Sequence, residues 1–73
     1  MVVIKPTNLN MLAGTISNRR KSLGLSQAEL AEKAGVHQET VSYIESGKRI
    51  PNLMNMVSIL SALDMVLKIE MQN

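Results

Sequence analysis

The chain has 73 residues and a formal net charge of +2, from 8 Lys and Arg against 6 Asp and Glu; it contains one His, one Tyr and no Cys, Trp or Phe. A chain this short makes one domain, 1–73, and small domains bury only about 60% of their unfolded surface, so a partner is expected to complete it. Without Cys and with a single His, disulfide frameworks, thiol catalysis and any metal site needing two histidines are excluded, and no cofactor is expected.

Size also argues against an enzyme, because a pocket that excludes water is hard to build beside so small a core. The apolar start, Met1-Val-Val-Ile-Lys-Pro, is shorter than the roughly 7–15 residues of a signal-peptide core. No apolar stretch approaches the roughly 20 residues of a membrane span. A cytoplasmic, soluble domain with no membrane contact is the expectation.

Glycines and prolines divide the chain into four helical pieces and a strand. Pro6-Thr7-Asn8 offers a helix start, and Leu9, Leu12, Ala13, Ile16 and Leu23 recur at helical spacing until Gly24, which predicts a helix over about 8–23. Arg20 lies on that apolar stripe, an unusual place for a charge. Ser26-Gln27-Ala28-Glu29 is a capping box opening a second helix that buries Leu30, Ala31 and Ala34 and stops at Gly35. Val36-His37 leads into a third helix, about 38–46, with Val41 and Ile44 inward and Gly47 at its end. After the basic loop Lys48-Arg49-Ile50-Pro51, Asn52 caps a fourth helix, about 53–62, with Leu53, Met56, Leu60 and Leu63 on one face.

The tail changes period. Met65, Leu67, Ile69 and Met71 alternate with Val66, Lys68 and Glu70, the pattern of a strand with one apolar face over about 65–71. A lone strand leaves its backbone unpaired, so it must join another copy of itself, the Val2-Val3-Ile4 segment, or both.

Two short helices joined by a Gly-containing turn, the second with a polar outward face, suggest a helix-turn-helix. Gly35 permits a left-handed turn and Ala31 a close helix approach. The outward face carries His37, Gln38, Glu39, Thr40, Ser42 and Tyr43, hydrogen-bonding groups that suit base edges better than plain solvation.

The run Leu23-Gly24-Leu25-Ser26-Gln27-Ala28-Glu29-Leu30-Ala31, then Gly35-Val36, then Val41-Ser42-Tyr43-Ile44-Glu45-Ser46-Gly47-Lys48-Arg49-Ile50-Pro51 resembles the Xre/Cro-type helix-turn-helix of lambda-like repressors. The resemblance covers about residues 9–63 and implies an all-α bundle of four to five helices with the third in the DNA major groove. The ending Ala62-Leu63-Asp64-Met65-Val66-Leu67-Lys68-Ile69-Glu70 is similar to that of HipB-type antitoxins. This implies a homodimer joined through a strand bearing Met65, Leu67, Ile69 and Met71, repression of its own operon, and a HipA-like kinase toxin as partner.

Carried over by position, the resemblance gives Gln27 a phosphate contact and a bracing role toward the first base-reading side chain. It gives Gln38 an adenine, whose N6 and N7 an amide can bond together. His37 stands where the family has a Ser or Thr cap; a weaker cap, it is open to a phosphate or base contact or to plain exposure. Glu39 could accept from cytosine N4 or simply favour the helix N-terminus, the second being preferred. Thr40 and Ser42 are expected as short donors on the groove side. Tyr43 is expected to flank the groove, with burial against the basic loop as the alternative. Lys48 and Arg49 are expected on phosphates; Arg19 and Lys21, late in the first helix, are open to a phosphate contact or to plain solvation.

Arg20 and Glu45 match a structural ion pair joining the first and third helices, which a planar guanidinium can make bidentate. Asp64 replaces the family's usual Gly, so the end of the fourth helix is expected to differ in shape. The function implied is a sequence-specific repressor on a palindromic double-stranded DNA operator. The alternatives are a phage-type or restriction-control repressor without a toxin, and a protein-interaction adaptor on the same fold.

Overall fold

A computed structural model describes residues 2–4, 9–49 and 51–67. The elements in chain order are β1 (Val2–Ile4), α1 (Leu9–Ser22), α2 (Gln27–Ala34), α3 (Gln38–Glu45), α4 (Leu53–Ala62) and β2 (Met65–Leu67). The fold is the all-α helix-turn-helix bundle with a minor strand. Lys68, Ile69, Glu70 and Met71, the far half of the expected strand, lie outside the described residues, as do Pro6 to Asn8 at the expected helix start.

Local chemistry sets the helix boundaries. Ser26 and Glu29 form both bonds of the capping box: the Glu29 N–H donates to Ser26 Oγ at 3.0 Å, and the Ser26 N–H donates to Glu29 Oε1 at 2.9 Å. The Ser26 backbone N–H, and after it the Ser26 hydroxyl, hold the Glu29 carboxyl below its ordinary range. Asn52 caps α4 by accepting from the Asn55 N–H at 2.8 Å. Three helices stop alike, with a left-handed residue followed by a nested pair of hydrogen bonds. At the end of α2 the Val36 N–H reaches the Ala31 carbonyl at 3.0 Å and the Gly35 N–H the Glu32 carbonyl at 3.2 Å. The corresponding donors are Leu25 and Gly24 after α1, and Lys48 and Gly47 after α3.

Asp64 itself adopts the left-handed conformation, with φ 55°. The end of α4 therefore keeps the shape a Gly would give; Asp is among the few residues that visit this region. From α1, Arg19 Nε donates to the Leu63 carbonyl at 3.0 Å, closing the same helix end. Arg19, open to a phosphate contact or to solvation on the sequence, is half-buried there.

Leu12 and Ile16 of α1, Leu30 and Ala31 of α2, Val41 and Ile44 of α3, and Met56, Ile59 and Leu60 of α4 meet in one core with Leu63 and Met65. Helix α2 packs on both α3 and α4, and α1 packs on α3. Two expected core positions differ. Leu53 is 70% exposed, because it opens α4 a full turn above the core while Pro51 just before it is buried. Leu23 is exposed, because it lies in the turn after α1. Ile59, not assigned inward from the sequence, is fully buried and completes the stripe with Met56, Leu60 and Leu63.

Of the partners open to the tail strand, the structure uses the Val2–Ile4 segment. The two strands run parallel, with Val2 opposite Met65, Val3 opposite Val66 and Ile4 opposite Leu67. Met65 is buried in its own chain's core and Val66 faces outward. Among the described residues the sheet has these two strands. No helix among the described residues is long and apolar enough to cross a membrane.

Candidate nucleic-acid interface

The turn between α2 and α3 depends on Gly35, whose φ of 71° is open to glycine and costly for most side chains. It brings the N-terminal turns of both helices to one side. Between them lies an open concavity of about 340 Å³ lined by Gln27, His37, Gln38, Glu39 and Ser42. His37 precedes α3 in an extended conformation and its side chain makes no capping bond, so the first turn of α3 has no side-chain cap. Helix N-termini carry unpaired N–H donors and a positive partial charge, a setting that suits a phosphate.

Gln38, Glu39 and Ser42 are exposed on α3, and Gln27 is half-buried at the start of α2. Thr40 departs from expectation: it is 6% exposed, so it points inward and not to the groove side. Positions 40, 41 and 44 form one helical stripe, and the buried arc is one residue wider than Val41 and Ile44 suggest. Tyr43 takes the alternative place, half-buried with the Arg49 guanidinium 4.3 Å from its ring centroid. Such a cation–π contact orders a loop arginine against the helix end. Lys48 and Arg49 are both exposed.

Behind the concavity lies a buried polar hub. Arg20 Nε donates to Glu45 Oε2 at 2.7 Å, and Arg20 Nη2 donates to Glu45 Oε1 at 3.0 Å. Only 10% of the Arg20 side chain and 6% of the Glu45 side chain are exposed. A third Arg20 nitrogen, Nη1, donates to the Leu25 carbonyl at 2.7 Å. Gln27 Nε2 donates to Glu45 Oε1 at 3.2 Å, and the Ser17 side chain adds to the groups that favour the ionised carboxylate. Burial alone would raise the Glu45 pKa; the hydrogen bonds from Arg20 and Gln27, the Arg20 charge and the Ser17 side chain outweigh it and hold the carboxyl below its ordinary range. The hydrogen bonding of the guanidinium to the Glu45 carboxylate is the main reason that Arg20 is held more firmly protonated than usual.

Sequence reasoning paired Arg20 with Glu45 but missed Ser17 and the bond from Gln27. Ser17 had a signal, since it stands one turn before Arg20. For Gln27, expected on a phosphate and against a base-reading side chain, no local pattern marks a partner so far along the chain.

The chain matches the model of the HTH_3 helix-turn-helix family over residues 16–66 and belongs to that family. Over 49 residues it is 33% identical to the cryptic phage CTXphi transcriptional repressor RstR of Vibrio cholerae, a match covering 67% of this chain and 44% of that protein. The chain spans about half the length of the first curated relatives it matches. Among solved structures, the restriction-modification controller protein C.AhdI from Aeromonas hydrophila superposes with a TM-score of 0.74 at 31% identity, covering 80% of this chain and 88% of the other. A chain of the HipA-HipB-O2-O3 complex superposes with a TM-score of 0.80 at 27% identity, covering 96% and 99%.

Proposed function

We propose that the protein is a sequence-specific DNA-binding repressor that acts as a homodimer on a palindromic operator. The observation that carries this reading is the concavity between the start of α2 and the start of α3, where Gln27, His37, Gln38, Glu39 and Ser42 converge; the exposed Lys48 and Arg49 follow the other end of α3. Gln38 reads a base, Gln27, Lys48 and Arg49 engage phosphates, and Ser42 adds a short donor; phosphate contacts set register while base contacts specify. His37 is assigned to the DNA side and Glu39 chiefly to the helix N-terminus. Two copies related by a two-fold would place their α3 helices about 34 Å apart, one turn of DNA.

Dimerisation is assigned to the tail strand. Met65 is committed to the core, which leaves that role to the free edge of β2 and to Leu67, Ile69 and Met71. Within this class we favour the antitoxin of a HipBA-type operon, with a HipA-like kinase toxin as partner. The near-complete mutual coverage with a chain of the HipA-HipB-O2-O3 complex supports it. The likeness to C.AhdI supports a restriction-control repressor as the second reading. A kinase gene beside this one favours the first, and a methyltransferase or endonuclease gene the second.

Titrations on operator and random duplex across a salt series test the DNA reading. Gln38→Ala should lose about 1–3 kcal/mol of operator preference, while Lys48→Ala should weaken both duplexes alike and lower the salt slope by about one unit. Equal loss on both duplexes by Gln38→Ala overturns the base-reading role. No binding at low salt favours an interaction adaptor. Deletion of residues 68–73, which spares the buried Met65, should yield a monomer by solution mass.

A further inference from the structure

The polar hub contains more than an ion pair needs. Arg20 donates to both Glu45 oxygens, and it is on Oε1, shared with Arg20 Nη2, that Gln27 Nε2 rests at 3.2 Å. The bidentate guanidinium fixes the plane of the carboxylate, so Gln27 meets an acceptor that cannot turn away. An amide flipped by 180° would set its own oxygen against a carboxylate oxygen and lose the hydrogen bond. One orientation remains: nitrogen toward Glu45, with the amide oxygen and the second N–H available on the concavity that Gln27 shares with His37, Gln38, Glu39 and Ser42. Arg20 also grips the Leu25 carbonyl, so the same pair holds the backbone that leads into α2.

We infer that Glu45 is a positioning residue for DNA binding: clamped by Arg20, it orients the Gln27 amide toward the nucleic acid. The inference rests on the function proposed above and extends it to a buried residue that touches no ligand. It divides the carboxylate's work in two. The bond to Arg20 holds α1 to α3, and the bond to Gln27 removes a rotational choice before DNA arrives, so less ordering is left to be done on binding.

A double-mutant cycle on duplex affinity separates the two. In the otherwise unchanged protein, Glu45→Gln should weaken binding to operator and random duplex alike, by roughly 2- to 10-fold, the scale of one hydrogen bond. In a Gln27→Ala background the same change should alter affinity less than about twofold, while its effect on melting temperature persists. Equal affinity losses in both backgrounds, or no loss in the first, overturn the inference and leave the pair a brace only.

Because Glu45→Gln could unfold so small a domain, the unsubstituted protein supplies a second measurement. In an NMR pH titration, the Gln27 side-chain amide protons should shift with the midpoint of the Glu45 carboxyl. Amide protons indifferent to that titration overturn the inference without any variant. A protein that binds no duplex at low salt overturns the proposed function and this inference with it, whereas binding with an additive cycle overturns this inference alone.

Discussion

Helices α3 and α4 both turn a face to solvent, and the two faces are chemically opposite. On α3 the exposed side chains are Gln38, Glu39 and Ser42, all hydrogen-bonding groups. On α4 they include Leu53, Met54 and Val57, exposed by 70%, 71% and 48%. The means of attachment differ too. Helix α3 is fixed by its apolar stripe and by a buried carboxylate that receives α1 and α2, while α4 is fixed by Met56, Ile59 and Leu60 and by an arginine on its last carbonyl. Helix α3 is thus held by directional bonds, which set its angle as well as its depth.

The largest losses should come from breaking the hub. Glu45→Ala leaves the Arg20 guanidinium desolvated without its partner and should cost about 3–5 kcal/mol, enough to lower the melting temperature by more than about 10 °C. A melting curve unchanged in this variant would dissolve the contrast. Acid should act in the same direction. The folded-state pKa of Glu45 is lowered, so its stabilisation is complete above the unfolded value of about 4.3 and is lost as pH falls through the lower folded value. Denaturant titrations below about pH 4 should show that decline, and Glu45→Gln should flatten it; what remains belongs partly to Glu29, whose pKa is also lowered.

Next in size is the end of α3. Gly47 has a φ of 73°, and a Cβ added there would lie 2.6 Å from Asn10 Oδ1 of α1. Gly47→Ala should cost about 2 kcal/mol by chemical denaturation. Adding Asn10→Ala should recover the crowding but not the backbone strain.

Ser26→Ala removes the capping box at the start of α2 and should cost about 1 kcal/mol in the same assay. Smallest of all, Leu53→Gln and Met54→Gln should each leave the stability of the monomer within about 0.5 kcal/mol, as exposed positions do. A large loss at either would show that the apolar face of α4 already supports the bundle.

The helix ends were readable because the signals are local. Ser26 with Glu29, Asn52 before Leu53, and Gly24, Gly35 and Gly47 each act within a few residues. The width of a buried stripe is not local: Thr40 sits at its margin, and the neighbouring helices decide on which side it falls. Leu53 fits the period of α4, but the period cannot say where the core ends along the axis. The convergence of the polar α3 face with Gln27 was legible because the family pattern places both. The bonds from Gln27 to Glu45 and from Arg19 to the Leu63 carbonyl span 18 and 44 positions and depend on helix packing that no short pattern encodes. The alternation after Asp64 marked a strand, but it does not distinguish one partner strand from another or a parallel from an antiparallel pairing.

The parallel pairing of β1 with β2 joins position 2 to position 65, so its hydrogen bonds close a loop containing all four helices. The entropy of such a closure is recovered only after the bundle has brought the two segments together. The strand pair should therefore be the last element to form on refolding, and its amides the first to exchange with solvent deuterium. Because Met65 is buried between this pair and α4, each opening also loosens one edge of the core, so the exchange rate at Met65 should report how often the terminal segments part.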